Sequence, residues 1–259
     1  MDQLASARMQ VEVIQPTSIN DHKGEYYIDF MARMHKALRP KTYLEVGCNT
    51  GDSLILAECK SIGIDPSFAH LRNVSANKTV LNLYQMTSDD FFGAYSPEVV
   101  LGQKIDLAFL DGMHFWEFLL RDFINTERSC KTNSIVLMHD CIPVDAYTAE
   151  RANDHAMRLK LSTRPDQWAG DVWKVNLILR KYRPDLWISC FDAPPTGLVA
   201  ITNLDPTSDL LQRNYRTICE EFGPIRLANY GLTRWIDECR LESTRDYYSI
   251  QDFSSKFWL

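Results

Sequence analysis

Glycine is scarce in this 259-residue chain, 11 residues or about 4% against a typical ~7%, so any place where glycines cluster carries weight. The seven cysteines (Cys48, Cys59, Cys130, Cys141, Cys190, Cys219, Cys239) contain no Cys-x-x-Cys pair. Their odd number and scatter exclude a zinc ribbon and a disulfide framework, and free buried thiols are expected. No apolar run approaches the ~20 residues of a membrane span. The opening MDQLASARMQVEV has neither the basic nor the apolar region of a signal peptide, so the expectation is a soluble cytoplasmic protein without a membrane partner. Basic excess is missing too: 28 Lys and Arg face 34 Asp and Glu, a net charge of −6. Phosphate backbones demand concentrated positive charge, so a nucleic-acid partner is excluded.

What is present is an ordinary globular composition, 45% hydrophobic and 24% charged, in a chain long enough for one large domain or two small ones. Residues 25–38 place Ile28, Met31, Met34 and Leu38 at helical spacing, stopped by Pro40. Short apolar runs then alternate with helical stretches. Strands are expected at 42–46, 61–64, 80–84, 105–110 and 135–138, with helices at 53–59 and 115–128. Wholly apolar strands separated by helices are what a parallel sheet covered on both faces requires.

The expected fold is therefore α/β, a doubly wound, Rossmann-like, mostly parallel sheet. Beyond residue 141 the beat breaks. A helix is expected at 147–159, a loop at 162–170 and another helix from Asp171, whose apolar positions are Val172, Val175, Ile178, Leu179 and Tyr182. The runs 186–191 and 198–202 read as a closing antiparallel pair. A helix over 208–222 and an irregular tail rich in aromatics, including Trp235, Tyr247, Tyr248, Phe257 and Trp258, complete the chain. The organisation reads as an N-terminal segment, 1–24, a main domain, 25–204, and a C-terminal extension, 205–259, packed on that domain.

The site-bearing signal is YLEVGCNTGDS, Tyr43 to Ser53. An acidic-x-Gly-x-x-x-Gly match has a chance expectation of roughly 0.06 in a chain of this composition, and here it falls where the first strand turns toward a helix. Asp65 closes the next strand and can accept hydrogen bonds from ribose hydroxyls. A dinucleotide turn wants Gly-x-Gly-x-x-Gly, whereas this chain has Asn49 at the second glycine. Glu45 opening the turn suits a cationic ligand better than a pyrophosphate. Further along, Asp111 and His114 follow the fourth expected strand, and His139 and Asp140 the fifth. All four would lie at the carboxyl edge of the sheet, a plausible set of bases and orienters for removing a proton.

From about Tyr26 to Asn203 the sequence resembles the class I S-adenosylmethionine-dependent methyltransferases. Glu45, Gly47 and Gly51 match that family's first motif, Asp65 its ribose-holding acid, and Ser88-Asp89 its adenine contacts. Cys48, Asn49 and Ser53 complete the cofactor turn, and Asp111 also faces the cofactor. LAFLDGMHFWEFLLRDF and SIVLMHDC look like the small-molecule O-methyltransferase subgroup with Asp-Gly-x-His and His-Asp motifs.

The resemblance implies transfer of a methyl group from S-adenosyl-L-methionine to a hydroxyl, with Asp111, His139 and His114 as catalytic residues. It also implies Asp111, His139 and Asp140 as ligands of a metal such as Mg2+, although imidazole is a poor ligand for a hard ion. DQWAGDVWKVNLILRKYRPD resembles a stretch in bacterial methyltransferases of sugar-polymer biosynthesis. Asp171 and Trp173 are the substrate-contact candidates there, with a carbohydrate hydroxyl on a glycan or glycosylated metabolite as the acceptor. A homo-oligomer is compatible with the sequence. Two other readings stay open: a nicotinamide-dependent oxidoreductase, and a non-catalytic module that binds the cofactor.

Overall fold

The computed structural model describes residues 22–69 and 73–257. The N-terminal segment expected over 1–24 lies outside it up to residue 21, as does Trp258. Helix α1 (Tyr27–Leu38) leads into β1 (Thr42–Val46), β2 (Lys60–Ile64) and β3 (Leu81–Tyr84), followed by α2 (Ser88–Ala94) and α3 (Pro97–Leu101). The alternation continues with β4 (Ile105–Leu110), α4 (Trp116–Glu127), β5 (Cys130–His139), α5 (His155–Leu161), α6 (Lys174–Tyr182), β6 (Trp187–Phe191) and β7 (Leu198–Thr202). Five short helices follow: α7 (Leu210–Arg213), α8 (Tyr215–Phe222), α9 (Leu227–Tyr230), α10 (Leu232–Cys239) and α11 (Ile250–Ser254). No helix among the described residues is long and apolar enough to cross a membrane.

The strands form one seven-stranded sheet in the order β3-β2-β1-β4-β5-β7-β6. β1 to β5 pair in parallel, and β7 runs antiparallel to both its neighbours. This is the expected α/β, mostly parallel sheet with its closing antiparallel pair. Because strand side chains alternate, Leu44, Ala108, Val136 and Met138 enter one core while Tyr43, Leu107, Ile135 and Leu137 enter another on the opposite face. Burial on both faces explains the continuous apolar runs in the sequence.

Four local expectations fail for identifiable reasons. The helix expected over 53–59 shrinks to a single 3-10 turn, Leu54–Leu56, because β2 begins at Lys60 and leaves no length for more. The helix expected over 147–159 gives way to turns. Asp145 accepts the backbone N–H groups of Tyr147 and Thr148, and the helix starts only where Asp154 caps it. The helix expected over 208–222 breaks at Asn214 into α7 and α8. The tail expected to be irregular is largely helical, and a Ser249–Asp252 capping box starts α11.

This tail packs on both faces of the sheet. Trp235 of α10 lies against Trp173, with ring centroids 5.5 Å apart. Phe253 of α11 meets Phe30 of α1 at 5.6 Å, and Phe257 is buried in the same core. All seven cysteines are free thiols, six of them buried, as expected.

Candidate active site

In an open α/β sheet the crevice lies beyond the carboxyl ends of the strands, where the strand order reverses. Here that point falls between β1 and β4, and a cavity of about 620 Å³ opens there. β1 delivers Gly47 and Asn49 to it, β2 Asp65, the start of α2 Ser88, β4 Asp111, and β5 His139 and Asp140; His114, Trp168 and Pro195 complete the far side.

The β1 turn is fixed by close backbone approach. Gly47 has φ 87°, and a Cβ there would sit 2.0 Å from the Asp111 carbonyl oxygen. Only glycine fits such a contact at such a φ. Asn49 also takes a left-handed conformation, φ 42°, which asparagine tolerates better than most residues. This accounts for asparagine at the position where a dinucleotide turn wants glycine. The Asn49 N–H donates to Asp65 Oδ2 and the Ser67 N–H to Oδ1, both at 2.8 Å. The Asp65 carboxylate is thereby held at the cavity wall before any ligand arrives.

Of the remaining residues assigned to this turn, Glu45, Cys48, Gly51 and Ser53 stand behind the wall. The hydroxyls of Tyr43 and Ser53 donate to Glu45 at 2.7 Å each. Burial pushes the Glu45 carboxyl up to about 8, against the pull of those two hydrogen bonds. Cys48 is packed in the core. Asp89 also turns away from the cavity and pairs with Arg121 at 2.6 Å, while its neighbour Ser88 faces inward. These five support the turn or its surroundings and do not line the cavity.

The opposite wall is a cluster of two carboxylates and two imidazoles. His139 Nδ1 lies 3.3 Å from Asp111 and 3.5 Å from Asp140, and His114 Nε2 lies 3.1 Å from Asp140. Burial alone would depress the His139 pKa, but Asp140 and Asp111 outweigh it and push the imidazole up to about 10. Asp140 is buried, yet the two histidines hold its carboxyl below the usual range, and the Thr196 hydroxyl donates to it. Asp140 sits at φ 60°, a strained conformation of the kind that active sites retain. One oxygen each from Asp111 and Asp140 and one nitrogen of His139 come within 4.8 Å of one another.

Two residues that the sequence reading did not single out complete this wall. The Tyr27 ring covers the His139 imidazole, centroids 4.0 Å apart, and His139 Nε2 is buried there without a hydrogen-bond partner. Trp168 stacks on His114 at 5.1 Å. Its indole N–H donates to the Glu150 carbonyl at 2.8 Å, while its own carbonyl engages His114 Nδ1 at 2.7 Å. Trp168 stood within the quoted DQW stretch, a usable signal, whereas nothing in the sequence linked Tyr27 to His139.

The substrate assignments of Asp171 and Trp173 need correction. Asp171 is buried and committed to structure: it pairs with Lys174 at 3.0 Å and Arg151 at 3.2 Å, and accepts the Trp116 N–H at 3.2 Å. Trp173 is fully buried against Tyr230 and Trp235. The part of this segment that reaches the cavity is Asp166, Gln167 and Trp168.

Two carboxylates and two imidazoles thus face Gly47, Asn49 and Asp65 across one cavity at the carboxyl edge of the sheet. Comparison with known proteins bears on both the fold and this cavity. Residues 44–141 match a family described as a methyltransferase domain. Among solved structures, the chain is similar to a methyltransferase from Podospora anserina crystallised with S-adenosylhomocysteine, at 14% identity and a TM-score of 0.50, covering 69% of this chain and 78% of that one. It is also similar to an O-methyltransferase of Streptomyces achromogenes involved in tomaymycin synthesis, solved with S-adenosylmethionine, at 12% identity and TM-score 0.49, covering 68% and 78%. An O-methyltransferase from Bacillus cereus gives 11%, 0.47, and coverage of 68% and 80%. No curated protein matches the sequence. The match to a methyltransferase domain therefore spans residues 44–141, from β1 to the end of β5, and the likeness to the Podospora anserina structure is one of fold.

Proposed function

We propose that the protein transfers a methyl group from S-adenosylmethionine to a hydroxyl of a small molecule, from a catalytic domain spanning 25–204 with the extension 205–259 packed on it. The observation that carries the O-methyl reading is the convergence of Asp111, His114, His139 and Asp140 on one wall of a cavity whose other wall holds Gly47, Asn49, Asp65 and Ser88. The carboxylates of that cavity suit the sulfonium and ammonium of the cofactor, and Asp65 suits its ribose.

Methyl transfer to oxygen is an in-line displacement, so the protein must align the acceptor and accept its proton. His139 is held protonated by Asp111 and Asp140, which suits it to orientation and charge balance. His114 Nδ1 is engaged by the Trp168 carbonyl, so a proton exchanged with the acceptor passes through Nε2, on the Asp140 side. We therefore assign His114 Nε2 and the Asp140 carboxylate together, as a pair 3.1 Å apart, as the site that takes up the acceptor's proton.

Once His139 gives up its proton, Asp111, His139 and Asp140 would also fit a divalent cation, so cation and proton compete for this cluster. Two carboxylate oxygens suit Mg2+, and the imidazole nitrogen moves the preference toward Mn2+. When bound, such an ion supplies Lewis acidity that lowers the pKa of a hydroxyl it holds. A sugar hydroxyl is the acceptor we favour, because Trp168 offers an apolar wall beside the amide of Gln167 and the carboxylate of Asp166.

Two measurements test this reading. S-adenosylhomocysteine at hundreds of micromolar should raise the melting temperature, and labelled methyl should pass from the cofactor into a small-molecule extract. Running the transfer with chelator, Mg2+ or Mn2+ reports the role of the cation. Stabilisation by NAD but not by S-adenosylhomocysteine would reverse the assignment in favour of an oxidoreductase.

A further inference from the structure

The described residues lining the cavity include Asp65, Asp111, Asp140 and Asp166 but no lysine or arginine. Recognition of a phosphate or carboxylate ordinarily needs a guanidinium, an ammonium or an open helix N-terminus. Among the described residues the cationic groups at this cavity are already engaged: His139 Nδ1 faces Asp111 and Asp140, and His114 meets Asp140 and the Trp168 carbonyl. Arg121 pairs with Asp89, Arg151 with Glu117 and Asp171, and Lys174 with Asp171. The N-terminus of α4 gives its Trp116 N–H to Asp171 Oδ1, and the Thr87 hydroxyl caps α2.

We infer that the acceptor is an uncharged polyhydroxylated compound that enters the site free, without a phosphate, nucleotide diphosphate or other anionic carrier attached. The inference rests on the methyltransferase reading above and narrows its substrate class. A neutral polyol loses nothing against these carboxylates, which can accept its hydroxyl hydrogens, while an anionic carrier would meet like charge with no uncommitted cation among the described residues to offset it. Trp168 supplies the contact a neutral ring needs. Its indole is pinned by Glu150 and its backbone by His114, so little rotamer freedom is lost when the acceptor packs on it.

The experiment offers the protein labelled S-adenosylmethionine with three matched sets: methyl glycosides of glucose, galactose and mannose, their 6-phosphates, and the corresponding uridine-diphosphate sugars. Each set is run with chelator, Mg2+ or Mn2+. We expect at least one neutral glycoside to be methylated with kcat/KM at least 10-fold above its charged counterparts. Trp168→Ala should raise KM for that glycoside about 10-fold, with S-adenosylhomocysteine stabilisation kept. Asp166→Lys should narrow the gap to the 6-phosphate. Equal or better use of the charged forms overturns the inference. So does transfer into none of the neutral glycosides while S-adenosylhomocysteine still stabilises the protein, and in that case the methyltransferase reading stands. Absence of that stabilisation overturns the methyltransferase reading and the inference with it.

Discussion

The two walls of the cavity are built by different means. The wall we assign to the cofactor is centred on one turn whose geometry is set largely by backbone: Gly47 against the Asp111 carbonyl, and the Asn49 N–H bonded to the Asp65 carboxylate. The wall we assign to the acceptor is assembled from four separate parts of the chain, Tyr27, His114, the His139-Asp140 pair and Trp168, and is held by side-chain charge and ring stacking. A wall made of backbone tolerates changes of side chain but not of glycine. A wall made of side chains is adjustable, which suits the half of a methyltransferase that must differ from one acceptor to another.

Substitutions can separate the two. The largest effect is expected from His114→Ala, which removes the imidazole of the proton-accepting pair from the second wall. Turnover should fall about 10²- to 10⁴-fold, while stabilisation by S-adenosylhomocysteine stays within twofold of wild type. Loss of that stabilisation would show that the walls are not independent. Gly47→Ala attacks the first wall. Forcing a Cβ onto the Asp111 carbonyl at φ 87° should cost about 2–4 kcal/mol in chemical denaturation and abolish the ligand-induced shift.

Smaller effects sharpen the contrast. Tyr27→Leu removes the ring from His139 and should lower kcat about 10-fold, the scale of an aromatic pair, with KM for S-adenosylmethionine unchanged. Tyr27→Phe keeps the ring and should keep kcat within about twofold. If Phe is as damaging as Leu, the phenol oxygen and not the stack is what matters.

The smallest effect concerns Glu45, whose carboxyl is raised to about 8 in the folded protein from an ordinary value near 4.5. A raised folded-state pKa means that the folded state binds the proton more tightly than the unfolded state does. The stability it contributes is fully present below about pH 4.5 and is lost as pH rises through about 8. Glu45→Gln should therefore flatten the decline in stability over that window. An unchanged profile would show that Glu45 is ionised behind the turn.

How much of this was legible in the sequence follows from the same contrast. The alternation of apolar strands, the Glu45–Gly51 turn and the acids closing β2 and β4 are local patterns, and period and spacing reveal them. The acceptor wall depends on which distant segments meet. Trp173 and Trp168 stand five positions apart in one stretch. Only the packing of Trp235 on Trp173 decides that the former is core and the latter faces the cavity. Tyr27 sits on an amphipathic helix whose pattern announces core contact, and its neighbour His139 could not be read from that pattern. The helices expected over 53–59 and 147–159 failed because loop length and the Asp145 turn overrode apolar spacing.

The packing of α11 on α1 has a bearing on the site. Phe253 holds Phe30, and three residues before Phe30 the same helix carries the tyrosine that covers His139. Every residue of the wall we assign to the cofactor lies at or before Asp111. The ring over His139 is thus braced from the far end of the described chain, so a change in α11 reaches the histidine wall while leaving the contacts of the Gly47 turn in place.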